Sequence, residues 1–453
     1  MARLVARLFV AAVVAAVSAV AGAETGRPAV FRLPRLARYD IPAVCSQLQP
    51  SFRCISVFDN AAYGGTDMSL IDLQQRVASI VRTNVSVGYD VLQDVRTGTL
   101  HSQTVMPRPH NADVALSYRP FRRLAQLGQP TTVAFEQVFA PYHLSFLNAK
   151  QRMICQVYGN TRCMFKDGSY VYQNTGVGTR LYTIADQLNV DHVEFLSRSS
   201  PGRTRIGNES FMFSEYVEFS QFPCTEWQST HITAVAAGLV YGPAKDAEIV
   251  SVGVKPGCRM TGTARALAEG LQWVKEHAVR YPARSVALVS GSVPVRQVNP
   301  AAVELIDDLV LDLLDMQIVV VTGSGAESVD ACEFTPGRVP GVMTVSAAEI
   351  VALPTKTTGV PWAETNYGAC IDIWAPGAFI ESASSPANDA TAVYSGSLQA
   401  AALVAGIGLT LLERYPTASP ATINERIINA SSSDFLISAA VGTVDVILQG
   451  VIA

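Results

Sequence analysis

Two rhythms of apolar and polar positions run along this chain. From Tyr142 onward, short apolar runs of strand length alternate with stretches of helical spacing. AEIVSVGV precedes a helix from Ala264 to Val279, and SVALVSG precedes a helix from Ala301 to Asp315. IVVVTGSG ends in a Gly-rich turn, and VMTVSAAEI follows as another strand. Near-continuous apolar strands separated by helices predict an α/β fold with a mainly parallel central sheet. The small and apolar run LQAAALVAG, Leu398 to Gly406, reads as a buried helix. The last helix opens at Ser419-Pro420, a capping residue with proline at the first helical position.

Upstream the pattern differs. Residues 24–52 are Pro- and Arg-rich and show no period, so they read as irregular. CISVFD then alternates like a strand, and Asp67 to Val81 has helical spacing with Leu70, Leu73, Val77 and Ile80 or Val81 on one face. YDVLQDV and TLHSQTVM read as a hairpin around Thr97-Gly98, Tyr118 to Gly128 as a helix, and TTVAFEQVF as a final strand. The order β-α-β-β-α-β over residues 53–141 suits a small α+β, ferredoxin-like unit. Residues 142–170 then read as a linker, and 171–453 as the main domain.

The first 23 residues carry Arg3 and Arg7, an apolar run from Leu8 to Val20, and Ala21-Gly22-Ala23. That arrangement is a secretory signal peptide cut after Ala23, with an apolar run too short to span a bilayer. Export makes the eight cysteines informative, because an even set in an oxidising compartment pairs. Lys and Arg (34) nearly balance Asp and Glu (38) without a long run of either sign, which argues against a nucleic-acid footprint. No later segment is apolar enough to span a membrane. Asn84, Asn208 and Asn429 head glycosylation sequons, a weak signal.

Five stretches then fall into a recognisable order. They are GVGTRLYTIADQLNVDHVEF (176–195), QSTHITAVAAG with YGPAKDAEIVSV (228–252), IVVVTGSGAESVDACEFTP (318–336), NYGACIDIWAPG (366–377) and SGSLQAAALVAG (395–406). Together they resemble the subtilisin-like serine proteases, the subtilases, in their proteinase K branch, over most of residues 55–435. The resemblance implies a three-layer subtilisin-like α/β fold, and it makes residues 53–141 similar to the subtilase propeptide, a folding chaperone and inhibitor. Subtilase chemistry uses a serine nucleophile, a histidine proton carrier, an aspartate that orients it, and an asparagine amide for the oxyanion.

At the positions matching those four groups this sequence has Leu398, Gln228, Ala185 and Ala326. None offers the same chemistry. Nearby Asp186 is expected on the opposite strand face, exposed or capping; His231 as a packing histidine; Ser395 and Ser397 as turn residues. The resemblance with these replacements implies a secreted pseudoprotease, not an enzyme, that acts by binding a protein or peptide or as a regulator. The alternatives are an active endopeptidase with a displaced triad, and a regulator that inhibits an active subtilase in trans through its propeptide-like domain.

The same resemblance marks Met260-Thr261-Gly262 and Ser290-Gly291-Ser292 as the edges of a peptide groove. It places the propeptide-like domain in cis as a partner, with Phe135 to Pro141 in or over the cleft. It also implies disulfides Cys224–Cys258 and Cys332–Cys370; local pairing of the remaining four gives Cys45–Cys54 and Cys155–Cys163. No cofactor is required. Asp372 with the carbonyls of Pro340 and Val342 matches a calcium site, a donor set that suits a hard cation; the other reading is a loop carboxylate bonded to backbone amides.

Overall fold

A computed structural model describes residues 27–33, 39–66, 68–81, 85–89, 121–124, 134–138, 140–148, 156–158, 162–164, 168–197, 204–213, 228–255, 262–352, 357–437 and 439–449. The chain divides into two units, one holding residues 1–92 with 296–305, the other holding 93–295 with 306–453.

In the first unit the order β-α-β-β-α-β is present, but upstream of where the sequence pattern put it. Strands Arg27–Arg32, Phe52–Val57, Ala61–Thr66 and Ser86–Tyr89 alternate with helices Ile41–Leu48 and Leu70–Val81. The sheet is antiparallel in the order Phe52–Val57, Ala61–Thr66, Arg27–Arg32, Ser86–Tyr89. Residues 24–52 are therefore not irregular: they supply the first strand and a helix capped by Asp40, whose Oδ1 accepts from Ala43 N at 3.0 Å. Leu73 and Val77 bury the expected face of the second helix against Phe31 and Phe52. The Cys45–Cys54 disulfide ties the first helix to the neighbouring strand. Most of the expected hairpin around Thr97-Gly98, and the signal segment, lie outside the described residues.

The stretch expected as a helix from Tyr118 instead contains the strand Phe121–Leu124, which pairs with Ala134–Gln137. That strand in turn pairs with Tyr170–Tyr172, and Ala140 lies in the core of the second unit. Phe135 to Gln137 thus belong to a small antiparallel sheet. Within residues 142–170, helix Tyr142–Leu147 buries Leu144 and Leu147 in the same core, so this part is no linker.

The second unit is built on a ten-stranded, mainly parallel sheet with helices. Its strands run in the order Phe211–Met212, Glu248–Gly253, Thr179–Ala185, Arg284–Val289, Val319–Gly323, Met343–Ala352, Ile373–Pro376, Val446–Ile447 and Ser432–Ser433, with Thr357–Pro361 paired off this path to Met343–Ala352. The central strands are buried along nearly their whole length, which explains their unbroken apolar runs. Helix Ser397–Arg414 crosses this core and is buried from Ser397 through Leu412. Its start lies so close to the sheet that a Cβ on Gly323 would sit 2.8 Å from Ser397 Oγ. Gly396, with φ of 149°, makes the turn into the helix in a conformation that favours glycine.

Leaving aside the two-residue strand Phe211–Met212, the five strands from Thr179–Ala185 to Met343–Ala352 lie in chain order in the spatial order 2-1-3-4-5. The order reverses between Thr179–Ala185 and Arg284–Val289, and an open parallel sheet forms its crevice at the carboxyl ends of the strands flanking that reversal.

Leu403 lies fully buried in the middle of the long helix. Leu403→Ala should cost about 2–5 kcal/mol, read as a lower urea midpoint with an unchanged slope.

Candidate functional site

At the reversal point three strand ends converge. Val254 N donates to Ala185 O at 2.7 Å, and Ser290 N donates to Ile184 O at 2.8 Å. The residue after each strand end is therefore positioned by the ladder itself. Thr179–Ala185 stops at Ala185, so strand alternation no longer governs Asp186. Its carboxylate turns to the start of helix Gln228–Ala237, where Oδ2 accepts from Gln228 N at 2.9 Å and Oδ1 from Ser229 N at 2.6 Å. It caps orphan amides at the positive end of that helix.

Opposite Asp186 stands Lys255, two residues past Gly253. Its Nζ lies 3.3 Å from Gln228 Oε1 and 3.1 Å from Ser290 Oγ, and the Ser290 hydroxyl is 3.2 Å from the same Gln228 oxygen. All four side chains are buried. Burial lowers the Lys255 ammonium to about 8, although the Asp186 charge opposes that fall. Burial also pushes the Asp186 carboxyl upward, against Lys255 and the two helix amides. The cluster joins a carboxylate, an amine, an amide and a hydroxyl within hydrogen-bonding reach in a dry crevice. In such surroundings an amine near neutrality can take up a proton that a hydroxyl gives up.

Of the four positions read as the family's catalytic ones, only Gln228 contributes its side chain to this cluster. Ala185 ends its strand next to Asp186. Ala326 is held through its amide by Glu327 Oε2 at 2.8 Å. Leu398 is buried and packs in the main core. Their loops meet one residue away, where Ser397 Oγ accepts from Gly325 N and donates to Gly325 O, both at 3.1 Å. Ser395 Oγ accepts from Phe379 N at 2.8 Å, a turn role as expected. His231 is buried, with Nε2 3.1 Å from Ile380 O, and burial lowers it to about 3, so it stays neutral.

Of the expected groove edges, Gly262 and Ser290 to Ser292 are buried, while Met260 and Thr261 lie outside the described residues. Lys255 is the group the sequence pattern missed. Its one signal is a charged residue directly after an apolar strand.

The Cys332–Cys370 bridge is present. Cys224–Cys258 and Cys155–Cys163 lie outside the described residues. Asp372 Oδ2 accepts from Thr344 N at 2.7 Å, and burial pushes its carboxyl up to about 6. No His, Cys, Asp or Glu cluster of three or more fit for a metal occurs among the described residues. A half-buried carboxylate is an oxygen donor of the kind a hard cation takes.

Comparison with known proteins places this arrangement. Residues 225–444 match the subtilase family. This part of the chain is a subtilase domain. An extracellular serine proteinase of Thermus sp. is 29% identical over 262 residues, 58% of this chain and 57% of that protein. Alkaline protease 1 of Aspergillus clavatus is 27% identical over 266 residues, 58% of this chain and 60% of that protein. The chain thus spans less than two thirds of the length of these relatives. A crystal structure of a cold adapted subtilisin-like serine proteinase covers 69% of this chain and 98% of its own, with TM-score 0.53 and 24% identity, and shows the subtilase fold. The expectation that the chain is not an enzyme is overturned here, because the relatives it is similar to are named as a serine proteinase and an alkaline protease. No helix among the described residues is long and apolar enough to cross a membrane.

A lysine whose folded-state value lies near 8 and unfolded value near 10.5 leaves the unfolded chain holding more protons between those limits. Stability from this group therefore rises with pH across that window. Chemical denaturation between pH 7.5 and 10.5 should show wild type gaining on the order of 3 kcal/mol relative to Lys255→Met; parallel curves would contradict the burial of a charged amine.

Proposed function

We propose that this chain is an exported serine endopeptidase of the subtilase family whose attacking and proton-carrying groups are displaced from the four positions the family resemblance marks. One observation carries this reading: the crevice at the sheet's reversal point gathers Asp186, Lys255 and Ser290 around Gln228, while Ala185, Ala326 and Leu398 supply no ionisable or nucleophilic group. Amide hydrolysis needs an attacking oxygen and a proton carrier held together, and that cluster is where this subtilase holds both. The substrate class is an extended peptide, which would use backbone groups along the Met260–Gly262 and Ser290–Ser292 segments. Export is supported by the N-terminal leader pattern and by the Thermus relative, which is named extracellular.

The test is direct. Purified chain incubated with a denatured protein between pH 7 and 10 should generate new N-termini, mapped by mass spectrometry. Termini no more abundant than with heat-inactivated chain would overturn the reading.

Asp372, with the carbonyls of Pro340 and Val342, would hold a calcium ion that supports the fold without entering the chemistry. Chelation should lower the melting temperature by roughly 4–8 °C per kcal/mol in a small domain and about half that in one of this size, with calcium, not magnesium, restoring it. An unchanged melting temperature in Asp372→Asn and in chelator would remove the site.

A further inference from the structure

We infer that Ser290 is the nucleophile and Lys255 its general base, with Gln228 as the residue that positions both. This assignment rests on the peptidase reading and names the atoms that would carry it. Ser290 follows the strand Arg284–Val289, and its amide is locked to Ile184 O at 2.8 Å. Lys255 follows the strand Glu248–Gly253, whose register is set by the pair Ala185 with Gly253. The two side chains thus approach each other from opposite sides of the strand that ends at Ala185. They meet at 3.1 Å because two backbone ladders put them there. Gln228 Oε1, at 3.3 Å from the amine and 3.2 Å from the hydroxyl, fixes the third side of the triangle. Asp186 is the acidic group facing the amine, but both its oxygens are engaged by helix amides, so it steadies Lys255 without taking up the proton.

The chemistry balances with these groups alone. When the amine is neutral, the Ser290 hydroxyl turns from Gln228 to donate to Nζ. Oγ attacks the scissile carbonyl carbon as its proton passes to Lys255. Collapse of the tetrahedral adduct breaks the C–N bond, and the leaving amine takes the proton back from the ammonium. Water then attacks the ester with its proton going to Lys255, and that proton returns to Ser290 Oγ as the carboxylic acid leaves. The sum is one peptide bond and one water consumed, one acid and one amine released. Serine–lysine pairs are a known variant of the triad logic, and a desolvated lysine is a competent base near neutrality.

Ser290 is fully buried and Lys255 is 3% exposed. The surroundings that keep the amine neutral also cover the serine, so acylation requires the crevice to open. Labelling should therefore be slow, proceeding over hours rather than seconds, and should accelerate as pH rises through about 8.

The experiment uses the full chain and a small fluorophosphonate, with the modified residue located by tandem mass spectrometry. The label is expected on Ser290, abolished there in Ser290→Ala and slowed at least about 100-fold in Lys255→Met, with both variants retaining the wild-type near-ultraviolet spectrum. Site mapping on the wild type stands even where a variant fails to fold. Peptide cleavage that persists in Ser290→Ala, or a label found on another residue, overturns this assignment and leaves the peptidase reading in place. A Lys255→Met chain labelled as fast as wild type removes the base and reduces the cluster to a structural one. Absence of new peptide termini together with absence of label at Ser290 overturns both readings, whereas label at Ser290 without cleavage overturns the peptidase reading and reduces Ser290 to a serine reactive toward the probe alone.

Discussion

A buried ammonium and a buried carboxylate cannot be left alone in a dry crevice. Removing each from water costs several kcal/mol, and the cost is recovered only when every lone pair and proton finds a partner. Asp186 and Lys255 meet that condition through different elements. The carboxylate takes two amides at the start of helix Gln228–Ala237, and the amine takes the oxygens of Gln228 and Ser290. Removing any one member strands the rest. The helix start, the two strand ends and the Ser290 turn are therefore tied into one unit, and the orientation of the whole crevice follows from it.

The backbone of the main sheet was legible because its strands are buried on both faces and so read as unbroken apolar runs. The same is true of helix Ser397–Arg414, which has no polar face because it has no exposed face until its last turn. The antiparallel unit was legible only as an order of elements. RPAVFR sits among prolines and arginines, which hides a strand whose Ala29, Val30 and Phe31 are fully buried, so the pattern was placed too far downstream. FRRLAQLG has helical spacing, yet Phe121–Leu124 is paired to Ala134–Gln137. Pairing with a neighbour outweighs local preference in so short a segment. Helix Tyr142–Leu147 has six residues, too few to display a period.

The site was less legible for a geometric reason. Alternation assigns Asp186 to the far face only while the strand continues, and it ends one residue earlier. A lysine after an apolar strand ordinarily reaches solvent; nothing local marks Lys255 as buried. Its role appears only when Gly253 is seen opposite Ala185, a register that no single stretch of sequence encodes. Ser290 was singled out, but as a groove edge, because its neighbourhood and not its hydroxyl resembled the family.

This separates what the family motifs report from what the crevice can do. The SGSLQAAALVAG stretch is held by packing: Gly396 for its backbone angle, Gly323 opposite Ser397 for close approach, and Ala400 to Ala402 for contact with the sheet. Those constraints act whichever side chain occupies position 398, and Leu398 satisfies them by joining the core. A parallel sheet whose strand order reverses will bring strand ends together at that reversal in any case. The scaffold thus delivers positions, and the side chains at those positions decide the chemistry. Here the strand ends that meet carry a carboxylate, an amine and a hydroxyl. The physical question at this crevice is therefore how a covered serine is reached, more than whether a nucleophile and a base lie within reach of each other.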